Sequence, residues 1–106
     1  MQTRAYAAHG PDQPLVPFTV SRRPLGERDV QVGIDYCGIC HSDIHFARNE
    51  WGFTTYPCVP GHEIIGRVVA TGPSVTRLSP GRRVGVGCFV DSCTRCAPCR
   101  SGRELL

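Results

Sequence analysis

The sequence predicts a mainly β domain: a partly open β-barrel carrying one short helix and a metal-ordered, cysteine-rich lobe. Three observations carry that expectation. Twelve Gly and nine Pro divide the 106 residues into short pieces, which favours strands and turns over long helices. Several pieces alternate apolar and polar side chains, the period of a half-buried strand. The last stretch, 91–106, has no period, yet it spaces cysteines evenly in Cys93-Thr-Arg-Cys96-Ala-Pro-Cys99.

Taken in order, Thr3 to Ala8 reads as an opening strand. Phe18-Thr-Val follows a stretch broken at Pro11, Pro14 and Pro17 and reads as a second. Val30, Val32, Ile34 and Tyr36 alternate with Gln31, Gly33 and Asp35, which predicts a half-buried strand. His41 to Arg48 suits a short helix, with Ser42 or Asp43 near its start. Gly52 to Pro60 has turn and extended character. Glu63 to Ala70 is a β-branched run between Pro60-Gly61 and Gly72-Pro73. Arg83 to Val90 reads as a last strand after Pro80-Gly81. Short strands separated by turn residues favour a partly open barrel. The chain reads as one unit, 1–106, with 91–106 as its lobe.

Composition narrows the function. Hydrophobic residues make up 41% and charged residues 20% of the chain, a globular balance. The net charge of +3 is dispersed, with only short pairs at Arg22-Arg23 and Arg82-Arg83. Nucleic-acid binding would ask for a basic stripe. No apolar run approaches the length of a membrane span. Met1-Gln-Thr-Arg-Ala-Tyr leads into no apolar signal segment, so a cytoplasmic, reducing compartment is expected. There, seven cysteines should serve as metal ligands, catalytic thiols or small core residues rather than as disulfides.

Thiolates spaced two residues apart turn back onto one ion, and structural zinc takes four ligands. Cys93, Cys96 and Cys99 therefore point to a zinc site that lacks one ligand. An iron–sulfur centre competes, because Cys88, Cys93 and Cys96 have a plant-type ferredoxin spacing. That scheme lacks its distant fourth cysteine and leaves Cys99 unused. Cys88, in an apolar run, reads better as a core thiol. A second set is Cys37-Gly-Ile-Cys40-His41-Ser42-Asp43-Ile44-His45 with Gly61-His62-Glu63. Catalytic zinc keeps three protein ligands and an open position, and Cys40 with His62 is the natural pair. Spacing alone also allows Cys37 and Cys40 to bind together. His62-Glu63-Ile64-Ile65-Gly66 lacks the second histidine of a metalloprotease. The deaminase cysteine pair fails at Arg100-Ser101-Gly102.

These stretches, with Asn49-Glu-Trp-Gly52, Tyr56-Pro-Cys-Val-Pro-Gly-His-Glu63 and Gly85-Val-Gly-Cys-Phe-Val-Asp-Ser-Cys93, resemble the zinc-containing medium-chain alcohol dehydrogenases. The likeness is to the cinnamyl-alcohol-dehydrogenase-like branch and its NADP-dependent aldehyde reductases. It implies a chaperonin-10 (GroES)-like catalytic domain. It also implies Cys40 and His62 as catalytic zinc ligands, with Glu63 an alternative ligand beside them. Ser42 would bond the substrate oxygen and start a proton relay that His45 carries towards solvent. Asp43 would orient a zinc ligand. Cys93, Cys96 and Cys99 would hold the structural zinc, and Trp51 would line the substrate pocket, with Phe53 a lesser candidate for it. Cys37 and Cys58 would be structural thiols.

The reaction so implied interconverts small primary alcohols and aldehydes by hydride transfer with NADP(H). The chain has no G-x-G-x-x-G after a strand and no βαβ pattern, hence no Rossmann domain. The resemblance also places a further catalytic cysteine far downstream and the fourth structural ligand just beyond Leu106. The expectation is an N-terminal piece of such an enzyme, inactive by itself and holding zinc weakly. The parent family is often dimeric. Rival readings are a stand-alone zinc module without catalysis and an iron–sulfur protein. Only the dehydrogenase reading uses Cys40, Ser42, His45 and His62-Glu63 together.

Overall fold

The computed structural model describes residues 1–105. Its elements run β1 (Gln2–Ala7), β2 (Val16–Ser21), β3 (Val30–Gly38), α1 (His41–Ala47), β4 (Glu63–Thr71), β5 (Arg83–Val86) and α2 (Ala97–Arg100). The strands form two antiparallel sheets, β1–β2 and β3–β4–β5. Both sheets are open, and the described residues close no barrel. The domain is mainly β with few short helices, as expected.

Three local expectations change. The last strand ends at Val86 rather than Val90. Cys88 accordingly falls outside the ladder and is exposed, so it is no core thiol. Tyr36 was expected on the buried face with Val32, but it is 71% exposed. Ile34, expected on the same face, is also 56% exposed: both faces of β3 are open from Ile34 on, and a register shift between Ile34 and Tyr36 sets Tyr36 opposite Ile65. The lobe also contains a one-turn helix, α2, which its aperiodic sequence did not announce.

The small core consists of Ala7, Ala8, Cys58 and Val68. Ala8 and Cys58 exchange backbone hydrogen bonds of 2.9 and 2.8 Å. That bridge fastens the end of β1 to the segment leading into His62. Gly66, buried at the centre of β4, has no room for a side chain: a Cβ there would run into the Gly33 carbonyl oxygen across the ladder. This close approach keeps β3 against β4.

The β3–β4 pairing positions the site. Its register ends at Gly38 opposite Glu63. Cys40 lies two residues beyond that pair and His62 one residue before it. Antiparallel pairing therefore brings both to the same end of one sheet, although 22 positions separate them in sequence (62 − 40). Gly61 makes the approach possible. Its φ is +125°, a conformation side chains rarely adopt, and a Cβ there would stand 2.8 Å from Cys37 Sγ.

Candidate functional site

Cys40 is the N-cap residue of α1, in extended conformation at the turn out of β3. Asp43, three residues on, accepts the Cys40 backbone N–H on Oδ2 at 2.9 Å. Such a reach back from the third helical position satisfies a donor that the helix start leaves unpaired. The other oxygen of Asp43 lies 3.1 Å from His62 Nδ1. One carboxylate thus fixes both members of the Cys40–His62 pair. Because Nδ1 is engaged, Nε2 of His62 is the ring nitrogen left to serve as a ligand.

The ligand atoms of Cys40, His62 and Glu63 lie within 4.8 Å of one another. Cys37 is not a member of this cluster. A thiolate, an imidazole and a carboxylate suit zinc by softness and by number. The local charges agree. The Ser42 hydroxyl donates to Cys40 Sγ at 3.1 Å. That bond first, then the Ser42 backbone N–H and His62, draw the Cys40 thiol below its ordinary pKa. The Cys40 sulfur in turn raises His62, with Asp43 adding to the effect. Both shifts are in the direction of the charged form of each group.

His45 projects from the last turn of α1. Its Nδ1 pairs with the Glu50 carboxylate, and His45 is the main cause holding Glu50 below the ordinary carboxylate range. Arg48 approaches the second Glu50 oxygen at 4.0 Å. Ser42 and His45 thus have separate partners in this structure, Cys40 and Glu50. Glu50 is the functional candidate that residue reading passed over. A carboxylate just past a helix carrying a terminal histidine is a usable signal, but the contact requires the chain to turn back at Asn49.

That turn is built locally. Asn49 ends α1 with a φ of +56°, a helix-terminating conformation that Asn tolerates. Its side-chain oxygen accepts the Thr54 N–H at 2.9 Å. The Thr54 hydroxyl donates to the Phe46 carbonyl at 2.6 Å, and the Tyr56 hydroxyl to the Ala47 carbonyl at 2.7 Å. Fastened this way, Trp51 and Phe53 stack with centroids 5.9 Å apart and planes within 17°. Trp51 also lies 5.5 Å from the His45 ring. Both aromatics remain exposed.

The lobe forms a second cluster. Cys93 and Cys99 sulfurs are 3.7 Å apart, and those of Cys96 and Cys99 are 3.3 Å apart. Tetrahedral zinc–thiolate bonds of about 2.3 Å imply sulfur separations of about 3.8 Å. The three thiols are therefore near the spacing one zinc ion would ask of them. The Arg95 and Cys96 backbone N–H groups lower the Cys93 thiol to about 7. Neighbouring Cys96 raises Cys99, so charge concentrates on one sulfur.

The fold and the two ligand-type clusters are those of an alcohol-dehydrogenase-type domain, and the chain belongs to the alcohol dehydrogenase GroES-like domain family, whose model matches residues 26–106. Among curated relatives, aldehyde reductase YahK of Escherichia coli K12 is 54% identical over 104 residues, covering 98% of this chain and 30% of the relative. A cinnamyl alcohol dehydrogenase from Helicobacter pylori, solved with NADP(H), superposes with a TM-score of 0.95 at 44% identity. It covers 100% of this chain and 30% of that protein. The Sorghum bicolor cinnamyl alcohol dehydrogenase gives a TM-score of 0.94 at 44% identity, over 98% and 30%. The chain thus spans about 30% of the length of the relatives it matches. Among the described residues, no helix is long and apolar enough to cross a membrane.

Proposed function

We propose that this chain forms the zinc-binding catalytic part of an NADP(H)-dependent alcohol dehydrogenase acting on small, preferably aromatic, primary alcohols and aldehydes. The observation that carries the reading is the convergence of Cys40, His62 and Glu63 at one sheet end, with Asp43 tying two of them together. Zinc held there would polarise the substrate oxygen as a Lewis acid, and the nicotinamide would supply or accept the hydride.

The chain's own residues do the rest. Asp43 orients His62 and the Cys40 backbone. Glu63 offers an exchangeable oxygen beside the pair. Ser42, in the first turn of α1, takes the proton of an alcohol or donates one to an aldehyde. His45 carries the proton towards solvent, its Nδ1 paired with the Glu50 carboxylate. Trp51 and Phe53 present a flat apolar wall beside His45, which suits a planar ring. Cys93, Cys96 and Cys99 hold a structural zinc in the lobe. The sequence offers no Gly-rich nucleotide loop, so the 106-residue chain by itself turns over no aldehyde.

A chimera tests this. Residues 1–104 replace the matching segment of the Escherichia coli reductase, and NADPH oxidation is followed with benzaldehyde. Activity in the chimera, lost on Cys40→Ala or His62→Ala, is the expected result. A folded, zinc-loaded chimera with no turnover would refute the reading.

A further inference from the structure

The hydroxyl of Ser42 is half-buried and donates to Cys40 Sγ at 3.1 Å. It is not spent on capping α1, because Asp43 Oδ2 takes the Cys40 N–H at 2.9 Å. The serine is therefore free to serve the sulfur. A hydroxyl has one proton and two lone pairs. While it donates to Cys40, Ser42 can still accept a hydrogen bond from an alcohol. It cannot also donate to an aldehyde oxygen without leaving the sulfur. The two substrate forms thus make unequal demands on the same proton.

We infer that Ser42 is a positioning residue for Cys40, its hydroxyl holding the sulfur beside His62 and weakening its electron donation to the catalytic metal. The assignment rests on Cys40 being a zinc ligand and goes beyond it, since a relay role for Ser42 requires no contact with sulfur. Hydrogen bonds to ligating groups from their surroundings tune metal sites in general. Under the proposed relay, the tuning group is also the one that meets the reacting oxygen. An aldehyde that recruits the Ser42 proton would leave the thiolate a stronger donor than an alcohol would.

The test uses cobalt(II) in place of zinc, read through the thiolate-to-cobalt charge-transfer band. Cys93, Cys96 and Cys99 are unchanged in every variant compared, so difference spectra report the Cys40 site. Cys40→Ser identifies the Cys40 component. Ser42→Ala should move that component to longer wavelength, because an unbonded thiolate gives up charge more easily. Ser42→Val should do the same, and Ser42→Thr should keep the wild-type position. The Thr and Val side chains match in shape, so this pair reads the hydroxyl alone even where Ala disturbs the helix. A Cys40 component that stays unmoved in Ala and Val overturns the inference, as does an equal shift in Thr and Val. A spectrum unaffected by Cys40→Ser overturns the ligand assignment itself, and the inference with it.

Discussion

Asp43 is the residue on which the geometry converges. Its two oxygens serve two different partners, the backbone N–H of Cys40 and the ring of His62. Both partners need an acceptor, and an amide offers only one oxygen. Asp43→Asn should therefore cost about 10–100-fold in zinc affinity, the usual loss when an outer partner of a metal ligand is removed; a competition titration against a chromophoric chelator measures it. Cys93 allows a prediction in pH. Its folded pKa, about 7, lies below the ordinary 9.0. The stabilisation it gives is present above pH 9 and is lost as pH falls through about 7. In metal-free protein, alkylation of Cys93 followed by mass spectrometry should therefore rise to half its maximum near pH 7. Cys99, raised by its neighbour, should react only at higher pH. At this scale much was legible in sequence. Cys40, His62, Glu63 and the three lobe cysteines were singled out, and the structure brings each set together. Glu50 was not, because its meeting with His45 depends on a backbone turn rather than a spacing.

At the scale of elements, the β3–β4 ladder is the device that assembles the site. Its register fixes where Cys40 and His62 emerge, so damage to the ladder should reach the metal. Gly66 is its tightest point. Gly66→Ala should destabilise the chain by about 1–3 kcal/mol, the usual range for forcing extra atoms into a packed position, read as a lower urea midpoint. The strands themselves were readable from alternation and turn residues. The exposure of the second half of β3 was not, since alternation does not show whether anything covers a face, and Ile34 and Tyr36 both stand exposed. The end of β5 was missed for a related reason. Val90 continues an apolar run, but Gly87 onwards has no neighbouring strand to pair with among the described residues.

For the molecule as a whole, the buried hydrophobic core is four small or medium residues, and Ile39, Val90 and Tyr36 are exposed. Among the described residues, apolar burial thus contributes little order and the backbone ladders contribute much; metal at the lobe thiols and at Cys40 and His62 would add to it. The mainly β architecture was legible because Gly and Pro punctuate it. The openness of the sheets was legible only in part, since closure depends on strands that pair across the whole barrel. The central claim is that Cys40 and His62 share a metal distinct from that of the lobe. Cobalt(II) titration of the wild-type chain beside Cys40→Ser, His62→Ala and Cys93→Ser tests it most directly. The account predicts that Cys40→Ser and His62→Ala abolish one and the same spectral component, while Cys93→Ser abolishes a different one. Loss of unrelated components in the first two variants, or of none, would contradict it.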